Sequence, residues 1–281
     1  MKRDETMKSI LKKIMGYKKT TIFIIILLIL LRIFFEYAKE SKGLYLVHGY
    51  MYNIINYIIL SSALLICFEN KKIRWTYRSI LLLLIIINTV GIYKSIDNIQ
   101  FQSKFTHAKN SFVIRETKDE SEFSLVYIPA HKMFIKLDDK IKITNGYKPF
   151  LNKGYQVIWL NDDKALIKYL NGTNHTSRGD ILNFSKSNGP YSNVLANLSG
   201  TWTDKNNNKD TINIAGVQIT YKVGNKIYWY SSSMSGEQGN YGSILYGNSD
   251  TPSIYILMNE DNTITMGYTA LKNNKQSVYT K

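Results

Sequence analysis

Residues 20–35 read TTIFIIILLILLRIFF, an apolar run whose one charge is Arg32. Water cannot hydrogen-bond the backbone inside a bilayer, so a run of this kind becomes a spanning helix. Two more runs follow, Leu44–Phe68 and Ser79–Tyr93, and none of comparable length comes after Asp97. The rest of the chain is polar, rich in Tyr, Asn and Lys, and broken by turn residues. The expected fold class is therefore membrane-anchored α plus all-β. Three N-terminal transmembrane helices precede an extracytoplasmic antiparallel β-rich region, a barrel or a sandwich.

The first run covers about 24 Å at ~1.5 Å per residue, short of the ~30 Å hydrocarbon core. Snorkelling of Lys19 and Arg32, with Tyr17 and Tyr37 at the interfaces, closes the gap. No small-x-small cleavage site follows Leu31, so an uncleaved anchor is expected. Before it, residues 1–19 carry seven Lys/Arg, with Met7, Ile10, Leu11, Ile14 and Met15 at helical spacing. That pattern fits a basic amphipathic helix on the inner membrane surface or a plain solvated tail.

Charge sets the orientation. Up to Ile96 there are fifteen Lys/Arg against five Asp/Glu, and beyond it twenty-one against sixteen. Lys71, Lys72, Arg74 and Arg78 lie between the second and third runs, whereas Lys39 and Lys42 are balanced by Glu36 and Glu40 between the first and second. The positive-inside rule then puts the N-terminus and the Lys71–Arg78 loop in the cytoplasm and the C-terminal region outside the cell. Anionic lipid headgroups account for the membrane-proximal excess. No nucleic-acid recognition motif accompanies the basic residues, so no nucleic-acid partner is expected.

Within the second run, His48, Tyr52 and Asn56 recur every four residues, with Asn53 beside them, which places them on one helical face. In lipid such a face turns toward other helices, a membrane-protein partner or a second copy. A conducting path lacks support from the sequence, because no Asp, Glu, Lys or Arg accompanies the stripe. Cys67 is the single cysteine, read as a small apolar helix residue, so no intrachain disulfide can form. The wealth of Lys, Asn, Ile and Tyr is the composition of a low-GC Gram-positive bacterium.

Residues 97–121 read as a tether. Beyond them apolar residues alternate at period two, as in Phe123-Leu125-Tyr127, Tyr155-Val157-Trp159 and Ile264-Met266-Tyr268. Turn residues separate these runs: Asp138-Asp139-Lys140, Asn145-Gly146, Asn161-Asp162-Asp163, Gly224-Asn225. Such spacing predicts short antiparallel strands. The one Gly-Pro, Gly189-Pro190, marks a boundary between a β-rich unit over 122–190 and a second over 191–281, or between two sheets of one body.

The second unit opens with Leu198-Ser199-Gly200-Thr201-Trp202. This resembles the Gly-x-Trp start of the calycins, the lipocalin-like and avidin-like small β-barrels. The resemblance implies a barrel of about eight strands in which Trp202, with Gly200 before it, packs structurally across the closed end. It carries over no ligand contact.

Chemistry is not written in the residues. His48, His107, His131 and His175 form no metal-ligand spacing, and no G-x-S-x-G elbow is present. The glycine-rich segment 236–242 lacks the helix a phosphate loop needs. Asp138-Asp139 and Asp162-Asp163 read as turn residues. No catalytic site, metal or cofactor is expected, and the protein is expected not to be an enzyme. Tyr228, Trp229 and Tyr230, with Tyr241, form the candidate ligand-binding set, because exposed aromatics concentrate binding energy.

The expected function is a membrane-anchored binding module for a peptide, a lipid-linked component or an anionic cell-envelope polymer, self-protection among its uses. The outer part is net positive, which favours the anionic ligand. The alternative is an accessory subunit of a membrane export, secretion or transport complex.

Overall fold

The computed structural model describes residues 2–66, 68, 70–172, 176–184, 194–238 and 241–281. Cys67, His175, Gly189-Pro190 and part of the glycine-rich segment lie outside these residues. Two compact units divide the chain. The first comprises Met1–Gln102, Thr117–Asp119 and Val126–Asp139, and the second the remainder.

Helix α1 (Lys2–Lys42) runs unbroken from the basic segment through the first apolar run. Gly43, at φ +61°, ends it, since the left-handed region costs glycine nothing. Strand β1 (Leu44–Leu46), helix α2 (Met51–Leu64) and helix α3 (Lys71–Asn98) follow. Two helices, Lys19–Lys42 and Lys71–Asn98, are long and apolar enough to cross a membrane. The expectation of three full spans is corrected here: the Leu44–Phe68 run is not one helix. Its start is drawn into β1, which pairs antiparallel with Phe134–Lys136 and buries Leu46, leaving α2 only fourteen residues. The Lys71–Arg78 segment is not a loop but the first two turns of α3, begun by Asn70, whose side chain accepts from Lys72 N and Ile73 N.

α2 lies antiparallel between its neighbours. Toward α1, Phe35, Leu46 and Ile55 form a buried cluster with Leu28, Met51 and Ile59 at its edge. Toward α3, Asn56 Nδ2 donates to Asn88 Oδ1 at 3.3 Å, and Asn88 Nδ2 to the Asn53 carbonyl at 3.0 Å. Tyr77 Oη donates to the Ala63 carbonyl at 2.9 Å. The exit of α3 returns to the β1–α2 corner. Gly49 faces Ser95, and Gln102 Nε2 reaches the Val47 carbonyl at 3.5 Å.

Residues 97–121 are not a tether. They finish α3 and form β2 (Ile99–His107) and β3 (Asn110–Thr117), which join β4 (Phe123–His131) and β5 (Phe134–Lys142) in the order β1-β5-β4-β3-β2. Asp138-Asp139 lie inside β5 rather than in a turn, on opposite faces of an extended strand. Strands β6 (Tyr155–Asn161), β7 (Lys164–Asn171) and β8 (Thr176–Asn183) make a separate antiparallel sheet.

A short helix α4 (Val194–Asn197) leads into β9 (Gly200–Asp204), β10 (Thr211–Ala215), β11 (Gln218–Val223), β12 (Lys226–Ser231), β13 (Ser235–Gln238), β14 (Gly242–Leu245), β15 (Ile254–Met258), β16 (Ile264–Tyr268) and β17 (Gln276–Thr280). These strands are hydrogen-bonded in the order β12-β11-β10-β9-β17-β16-β15-β14-β13. β17 returns to β9 through Tyr279↔Asp204, giving a nearly closed antiparallel barrel. Its outer wall packs on the β6–β8 sheet through Leu166, Ile181, Ile244, Tyr255 and Leu257. Gly179 and Gly242 permit that approach: a Cβ on Gly242 would stand 2.8 Å from Leu257 Cδ2 and 3.1 Å from Ile181 Cδ1.

Candidate functional site

The barrel has a filled interior. Trp202, Ile212, Ile214, Ile219, Tyr221, Leu245, Ile254, Ile256, Ile264, Met266 and Tyr279 occupy it, and Val194, Leu195 and Leu198 join that cluster from α4 and the turn after it. Trp202 Nε1 donates to the Leu198 carbonyl at 2.8 Å, and Lys281 Nζ sits 5.3 Å from the ring centroid. Gly200, at φ +124°, lies against the Lys281 side chain, where a Cβ would meet Cε at 3.0 Å. The tyrosine hydroxyls inside find partners. Tyr221 and Tyr268 share a hydrogen bond at 3.1 Å, and Tyr230 Oη donates to the Pro252 carbonyl at 2.6 Å. Burial raises the pKa values of Tyr221, Tyr230 and Tyr279, so these phenols stay neutral.

Alternation along β12 separates the aromatic set. Tyr230 is buried in the barrel core, and Tyr228 packs against that core. Trp229 projects outward, 59% exposed, beside Ile227 at 53%. Tyr241 belongs elsewhere. Its hydroxyl donates to the Ile181 carbonyl at 3.2 Å, and its ring packs on the cluster between barrel and β6–β8 sheet. Of the four aromatics, only Trp229 is available to a partner.

The polar stripe of the second apolar run also divides. His48 precedes α2, is exposed and stacks on Tyr50 at 5.3 Å, so it shares no helical face with the others. Tyr52 faces α1, with Phe35 edge-on at 6.2 Å and the Arg32 guanidinium over its ring at 4.5 Å. Arg32 is bonded to Glu36 one turn further on. Charges thus do accompany the stripe, supplied by α1; four-residue spacing within one run could not reveal them. The Tyr52 hydroxyl is buried without a hydrogen-bond partner among the described residues. Asn56 and Asn53 face α3, where Asn53 contributes its carbonyl while its side-chain amide makes no hydrogen bond among the described residues.

Among the buried charges that sequence reasoning missed, Lys168 and Glu116 are the most enclosed. Lys168, on β7, is 1% exposed, and its Nζ donates to the Asn273 carbonyl at 2.6 Å and approaches that of Ala270 at 3.5 Å. Burial pulls its pKa down to about 8. Glu116, on β3, is fully buried and accepts from Ser124 Oγ at 2.6 Å, Leu151 N at 2.8 Å and Phe150 N at 3.3 Å. Both tie strands to distant loops, and charged residues in short alternating strands carry no signal of that role. Among the described residues no group of three or more His, Cys, Asp or Glu could hold a metal ion.

No known family model matches this chain, and no curated protein matches it.

Proposed function

We propose that this chain is a membrane-anchored, extracytoplasmic binding module whose binding face is the outer wall of its small barrel. The observation that carries the reading is the exposed pair Trp229 and Ile227 on a barrel with a filled interior. A ligand must then be met on the outside, where a solvent-facing Trp supplies a large apolar contact at small entropic cost. Peptides and anionic envelope polymers fit the net positive outer region. Kinship with the calycins is part of the proposal, supported by the barrel and by Trp202 at its start.

The crossing pattern supports an outside location. α1 and α3 are both long and apolar enough to cross a bilayer, and the exit of α3 meets the β1–α2 corner that follows α1, which supports a return crossing by the chain between them. On this reading α2, about 21 Å long at ~1.5 Å per residue, makes that return. Basic residues at the N-terminal ends of α1 and α3 favour the cytoplasmic side for those ends, which with three crossings supports an outside location for the barrel.

The test is co-sedimentation of the detergent-solubilised chain with isolated cell envelopes. Trp229→Ala is expected to lower the bound fraction at least tenfold without changing melting temperature. Wild-type sedimentation by that variant would sink the reading. A second reading, an accessory subunit of a membrane complex, is favoured by the Asn53 side-chain amide on α2, which makes no hydrogen bond among the described residues and which a partner helix could satisfy. Under it, Asn53→Leu shifts the native-gel mass of the extracted protein downward; an unchanged mass removes it.

A further inference from the structure

Strand β12 ends the barrel's hydrogen-bonded series, and among the described strands it pairs only with β11. Its parity is fixed at both ends. Val223↔Lys226 closes the two-residue Gly224-Asn225 turn, and Ser232 N donates to the Val217 carbonyl at 2.8 Å. In an antiparallel ladder alternate residues bond to the same neighbour. Tyr228 and Tyr230 therefore direct N–H and C=O toward β11, while Ile227, Trp229 and Ser231 direct theirs to the open edge. The residues that offer main-chain donors and acceptors are thus also the ones whose side chains, Ile227 and Trp229, are exposed.

Edges of this kind are normally blunted by proline, a bulge or charge. β12 has no proline, and its pairing with β11 runs without a register shift. Only lysine guards it. Lys222 lies opposite Ile227, Lys226 begins the strand, and both are exposed, as is Lys209 just before β10. Asp210 and Asp204 are buried: Asp210 accepts from Gly224 N at 2.7 Å, and Asp204 from Asn206 N at 2.8 Å; the exposed Asp261 is set against Lys205. The local field is positive, which opposes a second copy of the same edge and favours an acidic partner.

We propose that the open edge of β12 accepts an extended acidic segment of another protein as an added β-strand, hydrogen-bonded to Ile227, Trp229 and Ser231, with carboxylates near Lys222 and Lys226. This rests on the outer barrel wall being the binding face and names how that face binds. Main-chain pairing supplies affinity in this mode, and alternate side chains supply specificity.

The experiment uses the full chain in detergent and three synthetic heptapeptides. One alternates Val and Glu, a second is the same peptide N-methylated at the amides that would face β12, and a third replaces Glu by Lys. The first is expected to slow amide exchange at Ile227, Trp229 and Ser231 at least tenfold, leaving Tyr228 and Tyr230 unchanged because β11 already protects them. The N-methylated and Lys peptides are expected to bind at least tenfold more weakly. Equal binding of the N-methylated peptide overturns strand addition, and so does failure of the Val/Glu peptide to protect the three amides. Neither result touches the envelope test with Trp229→Ala, so failure of the mode and failure of the face are read separately.

Discussion

Lys168 shows what one residue can impose on a β-sheet. Its ammonium sits at 1% exposure against the carbonyl dipoles of Ala270 and Asn273. Desolvation lowers its pKa to about 8, below the ~10.4 of an unfolded lysine. Between those values the unfolded chain binds more protons than the folded one, so this group's contribution to stability rises with pH. Below pH 8 its unfavourable contribution is present in full. Lys168→Met is expected to remove the rise in melting temperature that the wild type shows from pH 8 to pH 10. Parallel profiles for the two proteins would show that the lysine is not held as described. Above pH 10 the buried phenols act oppositely. Tyr221, Tyr230 and Tyr279 have raised pKa values, and Tyr255 is pushed up to about 12, so stability is lost as pH climbs past their unfolded value.

Among the elements, the contact between β8 and β14 decides whether the barrel and the β6–β8 sheet form one body. Gly242 lies where a Cβ would approach Leu257 Cδ2 at 2.8 Å, Ile181 Cδ1 at 3.1 Å and the Ile256 carbonyl at 3.1 Å. Side chains can shift, but a backbone carbonyl in a ladder cannot do so cheaply. Gly242→Ala is expected to cost about 1–3 kcal/mol, the usual range for overpacking, seen as a lower denaturation midpoint followed by Trp fluorescence. A midpoint equal to wild type would mean that the sheets are not so closely apposed. Period-two alternation in β4, β6 and β16 was legible from residues, as were most turns between strands. The outward burial of Ile244 and Tyr255 was not, because alternation shows which residues share a face but not what covers it. The length of α2 was hidden for a related reason. Leu44–Leu46 are as apolar as the helix after them, and only their pairing with β5 makes them a strand.

For the whole molecule the consequential prediction concerns the membrane. With Cys67→Ser as background, single cysteines at Lys72 and Ser249 are expected to report opposite sides of the bilayer. An impermeant maleimide added to intact protoplasts labels the cysteine at Ser249 and not the one at Lys72; lysis exposes both. Labelling of both in intact protoplasts, or of neither, would overturn the three-crossing arrangement. The residues alone decided that the first third carries the long apolar segments, which end is basic, and that the rest is short antiparallel strands. These are local properties: apolar length, charge and periodicity act on a segment wherever it lies. Tertiary structure alone decided that Arg32 and Glu36 stand beside Tyr52, that the barrel is packed solid, and that β12 keeps an open edge beneath Trp229. Each depends on which distant segments meet, and a side chain's pattern along its own strand does not encode its neighbour across space.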